Sequence, residues 1–331
     1  METRKVQLTG GSTFTVSLPK TWARRNDVEA GSSLTFVDNG DTLTVSTRRT
    51  DGRSQGELDI SDLAGDHLTR SVMTMYVSGF DVITLKADRI TAEQRQAIRT
   101  ATQNLIGVEV LEETTDRVVI QDLLDSSELS VTNAVERMHL IAESMLSDSV
   151  SAVIEDDDDI AADVIDRDDD VDRLWLVVSR IFRGTLRSPT AAPDLAISRE
   201  DCFDYHSTAR QLERIADHAA KISNLSMNLD EIPEPVVSAL EDLHEAVKEV
   251  IEGAVDALLE RDPDRSSELA HQSRSQVLEI DQHTREIDQL LRDLDPHEAQ
   301  SLGLIVDSLS RSADYGGNIA ETALQKAAPR P

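Results

Sequence analysis

The chain has 331 residues, 39% of them hydrophobic, so it is long enough for two or three domains with their own cores. Its 63 acidic and 33 basic residues give a formal net charge of −30, but hydrophobic periodicity continues through most of the chain, which excludes a disordered polyanion. The single cysteine, Cys202, excludes an internal disulfide framework and a cysteine-rich metal site. We expect a hydrated acidic surface of the salt-adapted, halophilic type, and folding that requires salt, because such charge repels itself at low ionic strength.

The sequence has no run of about 18 apolar residues, the length that a membrane helix needs. The first residues, METRKVQ, lack the apolar core of a signal peptide. We therefore expect a cytoplasmic protein without membrane insertion.

Residues 1–50 predict a small β-rich module. Alternating patterns indicate strands at 5–8, 14–18, 33–37 and 42–46, and Asn39-Gly40 is a strong hairpin signal. A short helix should follow Pro19, since proline suits a first helical turn.

The charge of this module differs from that of the rest of the chain. Seven basic and five acidic residues give it a net charge of +2, which leaves −32 for the other 281 residues. Contact with phosphate groups would explain retained positive charge on an anionic chain, and ordinary solvated charges are the alternative. The basic residues are Arg4, Lys5, Lys20, Arg24, Arg25, Arg48 and Arg49.

The stretch RKVQLTGGSTFTVSLPKTWARRNDVEAGSSLTF resembles the SpoVT/AbrB-type swapped-hairpin DNA-binding domain. The similarity includes Leu18-Pro19-Lys20 and the turn at Glu29-Ala30-Gly31-Ser32. The resemblance implies a DNA-reading fold that is completed by strand exchange between two chains, and therefore a homodimer through this domain. The resemblance also implies that the basic residues at the strand ends and in the short helix face the DNA duplex. These residues are Arg4, Lys5, Lys20, Arg24 and Arg25.

Residues 51–125 predict an α/β module. Asp59-Ile60-Ser61-Asp62 is typical of a helix start, with an amphipathic run to Val77, and DVITLKA predicts a strand. A helix with a capping box of Thr91 and Gln94 is predicted for TAEQRQAIRTATQNLI. A β-hairpin is predicted for GVEVLEETTDRVVIQDLL. The module has no glycine-rich phosphate loop and no catalytic constellation, so we interpret it as a coupling or dimerisation module.

Residues 126–328 predict about six long helices in two sets of three. Apolar residues recur at helical spacing, and breakers occur at 187–193, 228–235, 262–263 and 295–296. The predicted fold class is α+β: a swapped-hairpin β module, an α/β middle module and two three-helix bundles.

The helical part contains an internal repeat. QLERIADHAAKIS aligns with SLSRSADYGGNIA, which pairs Asp217 with Asp314, and the preceding helices align so that Asp172 pairs with Asp281. Two helices per copy in the same order indicate a duplication. Gly316 and Gly317 interrupt a helix at a cost of about 1 kcal/mol each relative to alanine, so they predict close packing.

This repeat resembles the PhoU family, whose signature is similar to LERIGDHAxNIAE on the third helix of each of two three-helix bundles. With the AbrB-like start, the chain is similar to archaeal phosphate-uptake regulators that carry both domains. The resemblance implies control of phosphate uptake, with DNA and a phosphate transporter or a signalling kinase as partners.

In that family, acidic pairs at i, i+4 on neighbouring helices bind clusters of metal ions. The matching residues in the first repeat are Asp168, Asp172, Glu213 and Asp217, which implies divalent or iron-type metal ions as cofactors. Random placement would give roughly 12 such pairs in this acidic chain, so the position within the repeat, not the spacing, supports the assignment. In the second repeat Val277 and Ser310 replace two of the acids, so we expect metal binding there to be weak or lost.

Three functions are therefore considered. The first is a phosphate-responsive regulator that binds promoter DNA; the second is an adaptor in which the AbrB-like module only dimerises. The third is a metal-dependent hydrolase that uses the four acids, against which stand the missing base, nucleophile and phosphate loop. We expect a protein that is not an enzyme.

Overall fold

The computed structural model describes residues 3–38, 42–47, 53–123, 130–187, 197–229 and 232–329. The chain divides into two compact units, Met1–Gly52 and Arg53–Pro331. The predicted middle module and helical part both belong to the second unit.

The first unit consists of two short hairpins and one short helix. β1 (Gln7–Thr9) pairs antiparallel with β2 (Thr13–Thr15), and β3 (Thr35–Asp38) with β4 (Leu43–Ser46). Gly10 and Gly11 join the first pair with φ of 64° and 83°, a conformation that glycine adopts without steric cost. The helix α1 (Lys20–Arg25) follows Pro19 as predicted. The hairpin signal Asn39-Gly40 lies outside the described residues.

None of the described residues of the first unit is buried within the single chain. Apolar side chains of both hairpins face solvent, and Phe14 is 75% exposed. Apolar side chains at this exposure form no core. The others are Val6, Leu8, Val16, Phe36 and Leu43.

The second unit begins with a four-stranded sheet in the order β5-β6-β8-β7. β5 (Gln55–Asp59) and β6 (Val82–Lys86) are parallel and joined through α2 (Gly65–Val77), whereas β7 (Val108–Glu113) and β8 (Arg117–Asp122) form the predicted hairpin. β6 pairs antiparallel with β8. α3 (Ala92–Gln103) begins with the capping box of Thr91 and Gln94 that the sequence predicts.

The prediction of a helix start at 59–62 is wrong. Asp59 ends β5, and its Oδ1 accepts hydrogen bonds from the backbone N–H and the hydroxyl of Ser61, at 3.0 and 2.6 Å. The aspartate therefore caps a turn after a strand, and α2 begins only at Gly65, after Ala64, whose side chain makes no cap.

The remaining helices form the two predicted sets of three. α4 (Val131–Glu155), α5 (Asp158–Arg187) and α6 (Arg199–Ser226) pack on one another. α7 (Glu234–Leu259), α8 (Pro263–Leu291) and α9 (Pro296–Ala327) do the same. Both sets share one hydrophobic core.

The two motif helices, α6 and α9, pack together in opposite directions. The Gln211 Oε1 accepts a hydrogen bond of 3.3 Å from Asn318 Nδ2, and two turns further along α6 the ring of His218 lies 5.6 Å from that of Tyr315. The Arg214 guanidinium lies over the same tyrosine ring, 5.5 Å from its centroid. The two copies of the motif thus form the seam between the bundles.

Gly316 lies at a close approach of α9 to α7, in agreement with the predicted packing. A Cβ built at this residue would lie 2.8 Å from Val250 Cγ1, whereas one at Gly303 in the same helix would have no atom within 4 Å. Gly316→Ala should lower the free energy of unfolding by roughly 1–2 kcal/mol, because overpacking outweighs the gain in helix propensity.

The matched control is Gly303→Ala, which should raise the free energy of unfolding by up to about 1 kcal/mol. Denaturant unfolding in high salt measures both. Equal effects of the two substitutions would contradict the assigned role of Gly316.

Arg180 of α5 connects the helical part to the middle module. Its guanidinium forms ion pairs of 2.8 Å with Asp81 and Asp122, donates to the carbonyls of Tyr76 and Phe80, and lies 4.7 Å from the centre of the Tyr76 ring. One turn earlier, Leu176 packs on the core of the middle module. The two parts of the second unit are therefore joined through α5.

Among the helices in the described residues, none combines the length and hydropathy that a membrane span requires.

Candidate functional site

The four predicted metal ligands lie on two packed helices. Asp168 and Asp172 are one turn apart on α5, and Glu213 and Asp217 are one turn apart on α6. A spacing of i, i+4 places each pair on one helix face. The two pairs influence each other's ionisation, so the fold brings all four residues into one cluster, which we call the carboxylate cluster.

Burial and mutual repulsion raise the pKa of these carboxyls. The pKa of Asp168 is raised to about 6 by burial and then by the charges of Asp172 and Asp217. That of Glu213 is raised to about 7 by burial and then by Asp217, with Asp172 contributing less. Asp172 and Asp217 are more exposed than Glu213, and partial desolvation by their neighbours is the first cause of their raised pKa. The cluster therefore holds negative charge at a cost in free energy, which a bound cation would reduce.

Glu213 is the most buried member of the cluster, with 8% of its surface exposed. Its Oε1 accepts a hydrogen bond from Arg210 Nη1, whereas its Oε2 is buried and has no hydrogen-bond partner among the described residues. A buried carboxylate oxygen without a partner is costly and is normally satisfied by a donor, a water molecule or a cation.

The donor chemistry of the cluster fits a hard cation, but the present arrangement of side chains does not enclose one. Carboxylate oxygens are the ligands that hard divalent cations prefer. In the part of the chain that the structure describes, no three His, Cys, Asp or Glu side chains converge in the geometry of a metal site. A cation would therefore bind only after side chains of the cluster rotate toward it.

Aromatic side chains lie next to the cluster. The Trp175 ring on α5 has its centroid 4.8 Å from that of His206, and the Arg210 guanidinium lies 5.4 Å from the centre of the Trp175 ring. Burial, followed by the charges of Arg183 and Arg210, lowers the pKa of His206 to about 4. His206 is therefore neutral at pH 7, and Arg210 is the cation between the aromatic side chains and the acids.

The middle module borders the cluster on another side. Asp172 lines a cavity of about 600 Å³ together with residues of α2 and α3, among them Arg70 and Glu93. Asp172 therefore lies next to the middle module.

The equivalent place in the second repeat is different. A cavity of about 420 Å³ is lined there by Val277, Asp314 and two arginines, Arg274 and Arg311. Arg274 forms an ion pair of 2.9 Å with Glu321, which also lines the cavity. Weak or lost metal binding in this repeat stays a prediction.

The predicted DNA-binding residues lie on the surface of the first unit. Lys20 and Arg24 are exposed and one turn apart on α1, and Arg24 and Arg25 occupy its last turn, where the helix dipole favours cations. Arg4 and Lys5 are exposed in the segment that precedes β1.

Sequence reasoning missed Arg210 and its contact with Trp175. The spacing of Arg210 and Glu213, three residues apart on a predicted helix, was the available signal for their ion pair. Nothing in the sequence indicated that Trp175 of another helix lies beneath the guanidinium.

The fold and the site define a class: a tandem repeat of three-helix bundles with carboxylates on its motif helices. The model of the PhoU domain matches residues 135–226 and 240–323, which is more than half of the chain, so the chain belongs to the PhoU domain family. The model described as "Antidote-toxin recognition MazE, bacterial antitoxin" matches residues 7–52, which is most of the first unit.

Known relatives agree with this family. The chain is 27% identical over 199 residues to a phosphate-specific transport system accessory protein PhoU homolog of Pseudomonas aeruginosa, covering 57% of this chain and 80% of the relative. A protein of the same description from Clostridium acetobutylicum is 27% identical over 136 residues, 40% of this chain and 60% of the relative. The crystal structure of PhoU from Pseudomonas aeruginosa superposes with a TM-score of 0.50 at 24% identity, covering 59% of this chain and 93% of the other.

Proposed function

We propose that this protein is a phosphate-responsive regulator that binds promoter DNA through its first unit and regulates phosphate uptake through its helical repeat. One observation carries the proposal: a PhoU tandem repeat and a MazE-type module occur in one chain, and residues 1–50 carry a net charge of +2 whereas the rest of the chain is strongly acidic. The relatives that match the repeat are described as accessory proteins of phosphate-specific transport, which supports the phosphate part.

The first unit acts as a homodimer in this proposal. Its described residues include no buried side chain, and Phe14 and Phe36 are 75% and 57% exposed. Covering this apolar surface with the strands of a second chain would complete a core. The resemblance to the swapped-hairpin DNA-binding domain supports the same arrangement.

DNA contact is assigned to the first unit alone. The 281 residues that follow residue 50 carry a net charge of −32, which repels a polyanion. The helical repeat instead docks a protein, and a phosphate transporter or a signalling kinase is the proposed partner. The carboxylate cluster binds a divalent or iron-type cation there.

The DNA part of the proposal predicts the effect of Lys20→Ala combined with Arg24→Ala. Binding of the purified protein to DNA from its own upstream region, measured by fluorescence anisotropy in high salt, should be saturable for the wild type. The double substitution should weaken it about tenfold or more and should reduce the salt slope by about 2, because two phosphate contacts are lost.

The control is Arg261→Ala with Arg265→Ala, an exposed basic pair of the same spacing in the helical part, which should leave DNA affinity unchanged. Equal loss in both double variants would indicate an effect of net charge only. Absence of DNA binding by the wild type would favour the second function, an adaptor. In that case the first unit only dimerises, and the acidic helical repeat docks the protein partner.

A further inference from the structure

The carboxylate cluster already contains a cation of its own, the Arg210 guanidinium. It donates to Glu213 Oε1 on the same helix and lies over the ring of Trp175, which belongs to α5. An arginine held by both a carboxylate and an aromatic face is well placed to neutralise the acids around it.

The charge of Arg210 reaches three of the four acids of the cluster. It acts on Asp172, Glu213 and Asp217, lowering the pKa of each against the effect of burial. Arg214 acts on Glu213 and Asp217 only, and its guanidinium lies instead over Tyr315 at the seam between the bundles. Arg210 is thus the counter-ion shared by both helices of the cluster.

The neutralisation is incomplete. Arg210 satisfies one oxygen of Glu213, a residue that is 8% exposed. The other carboxylate oxygen is buried and has no hydrogen-bond partner in the part of the chain that the structure describes. A hard cation that took this free oxygen together with Asp172 or Asp217 would place a second positive charge beside the guanidinium. Two like unit charges about 4 Å apart repel by about 1 kcal/mol in water and by more in a partly buried site.

We propose that Arg210 is an internal competitor of the cation: it closes the carboxylate cluster when no cation is present and is displaced from Glu213 and Trp175 when one binds. This inference rests on the cation site of the proposed function. Arg210 lowers the affinity of that site and makes Trp175 report its occupancy. Its role is that of a positioning residue, since it acts on the bound ion through Glu213.

Calorimetric titration with Mn²⁺, in high salt after chelator treatment, tests the proposal. Arg210→Gln should bind Mn²⁺ about tenfold or more tightly than the wild type, the equivalent of about 1.4 kcal/mol. Arg210→Lys keeps the charge and should remain close to the wild-type affinity. Arg183→Gln removes a charge from α5 that acts on His206 rather than on the cluster, and should also leave the affinity unchanged.

A second measurement does not depend on the folding of an Arg210 variant. In Trp22→Phe, Trp175 is the only tryptophan, and saturation with Mn²⁺ should shift its emission maximum as the guanidinium leaves the ring. An unshifted maximum at saturation, or equal Mn²⁺ affinity of Arg210→Gln and wild type, overturns the role of Arg210 and leaves the cation site in place. If neither the wild type nor Arg210→Gln binds Mn²⁺, the cation site itself is wrong, and the inference is wrong with it.

Discussion

Glu213→Gln is expected to make the protein more stable in chelator and to abolish its stabilisation by cations. The side chain is buried, one of its carboxylate oxygens finds no hydrogen-bond partner within the described ranges, and the charges of Asp217 and Asp172 disfavour its ionised form. At pH 8, above its pKa of about 7, the amide removes this repulsion. We expect a gain in free energy of unfolding of about 1–2 kcal/mol, after the loss of the charge-assisted bond from Arg210.

In excess Mn²⁺ the order should reverse. The wild type gains stability by binding the ion in its folded state, by about 2.7 kcal/mol at a hundred times the dissociation constant, and Glu213→Gln gains little. Thermal unfolding of the wild type and of Glu213→Gln, each in chelator and in Mn²⁺, gives the four stabilities to be compared.

Asp281→Asn is the control for this experiment. Asp281 aligns with Asp172 in the second repeat, but its side chain is 76% exposed and lies 4.0 Å from Arg285. Its substitution should change stability by less than about 0.5 kcal/mol in either condition. Destabilisation of Glu213→Gln in chelator would show that the ion pair with Arg210 outweighs the repulsion within the cluster.

Most of the helical fold could be predicted because its determinants are local. Asp262 and Asp295 precede prolines and cap α8 and α9, and helical spacing places Val171 and Val178 in the core. The resemblance to the PhoU family selected the four carboxylates from many acidic pairs at the same spacing, and the packing of α5 on α6 brings them into one cluster.

The features that sequence reasoning missed depend on contacts between distant parts of the chain. Asp59 has the residue type of a helix cap, but β5 pairs with β6, and this tertiary pairing decides that the aspartate ends a strand. The association of Arg210 with Trp175 requires the packing of α5 on α6. Arg180 likewise shows no local sign of its partners in the middle module.

The second large effect is expected for Arg180→Leu, which should detach the middle module from α5. The arginine side chain is 12% exposed, and its partner Asp122 is 8% exposed. Removing the guanidinium breaks its ion pairs with Asp81 and Asp122 and withdraws donors from the carbonyls of Tyr76 and Phe80. Loss of one partner of a buried ion pair costs about 3–5 kcal/mol.

Hydrogen exchange can locate the effect. Amides of α2, β6 and β8 should lose protection in Arg180→Leu, whereas those of α7 to α9 should keep it, because the ion pairs and hydrogen bonds that the structure shows for this arginine are made with the middle module. Arg183→Leu, three residues further along α5, lies at the cavity between α2 and α5 and should change protection little. Uniform loss of protection over the whole second unit would show that the middle module and the bundles unfold together. Arg180 would then stabilise one cooperative unit. It would not be a separable connection between the middle module and the helix that carries Asp168 and Asp172.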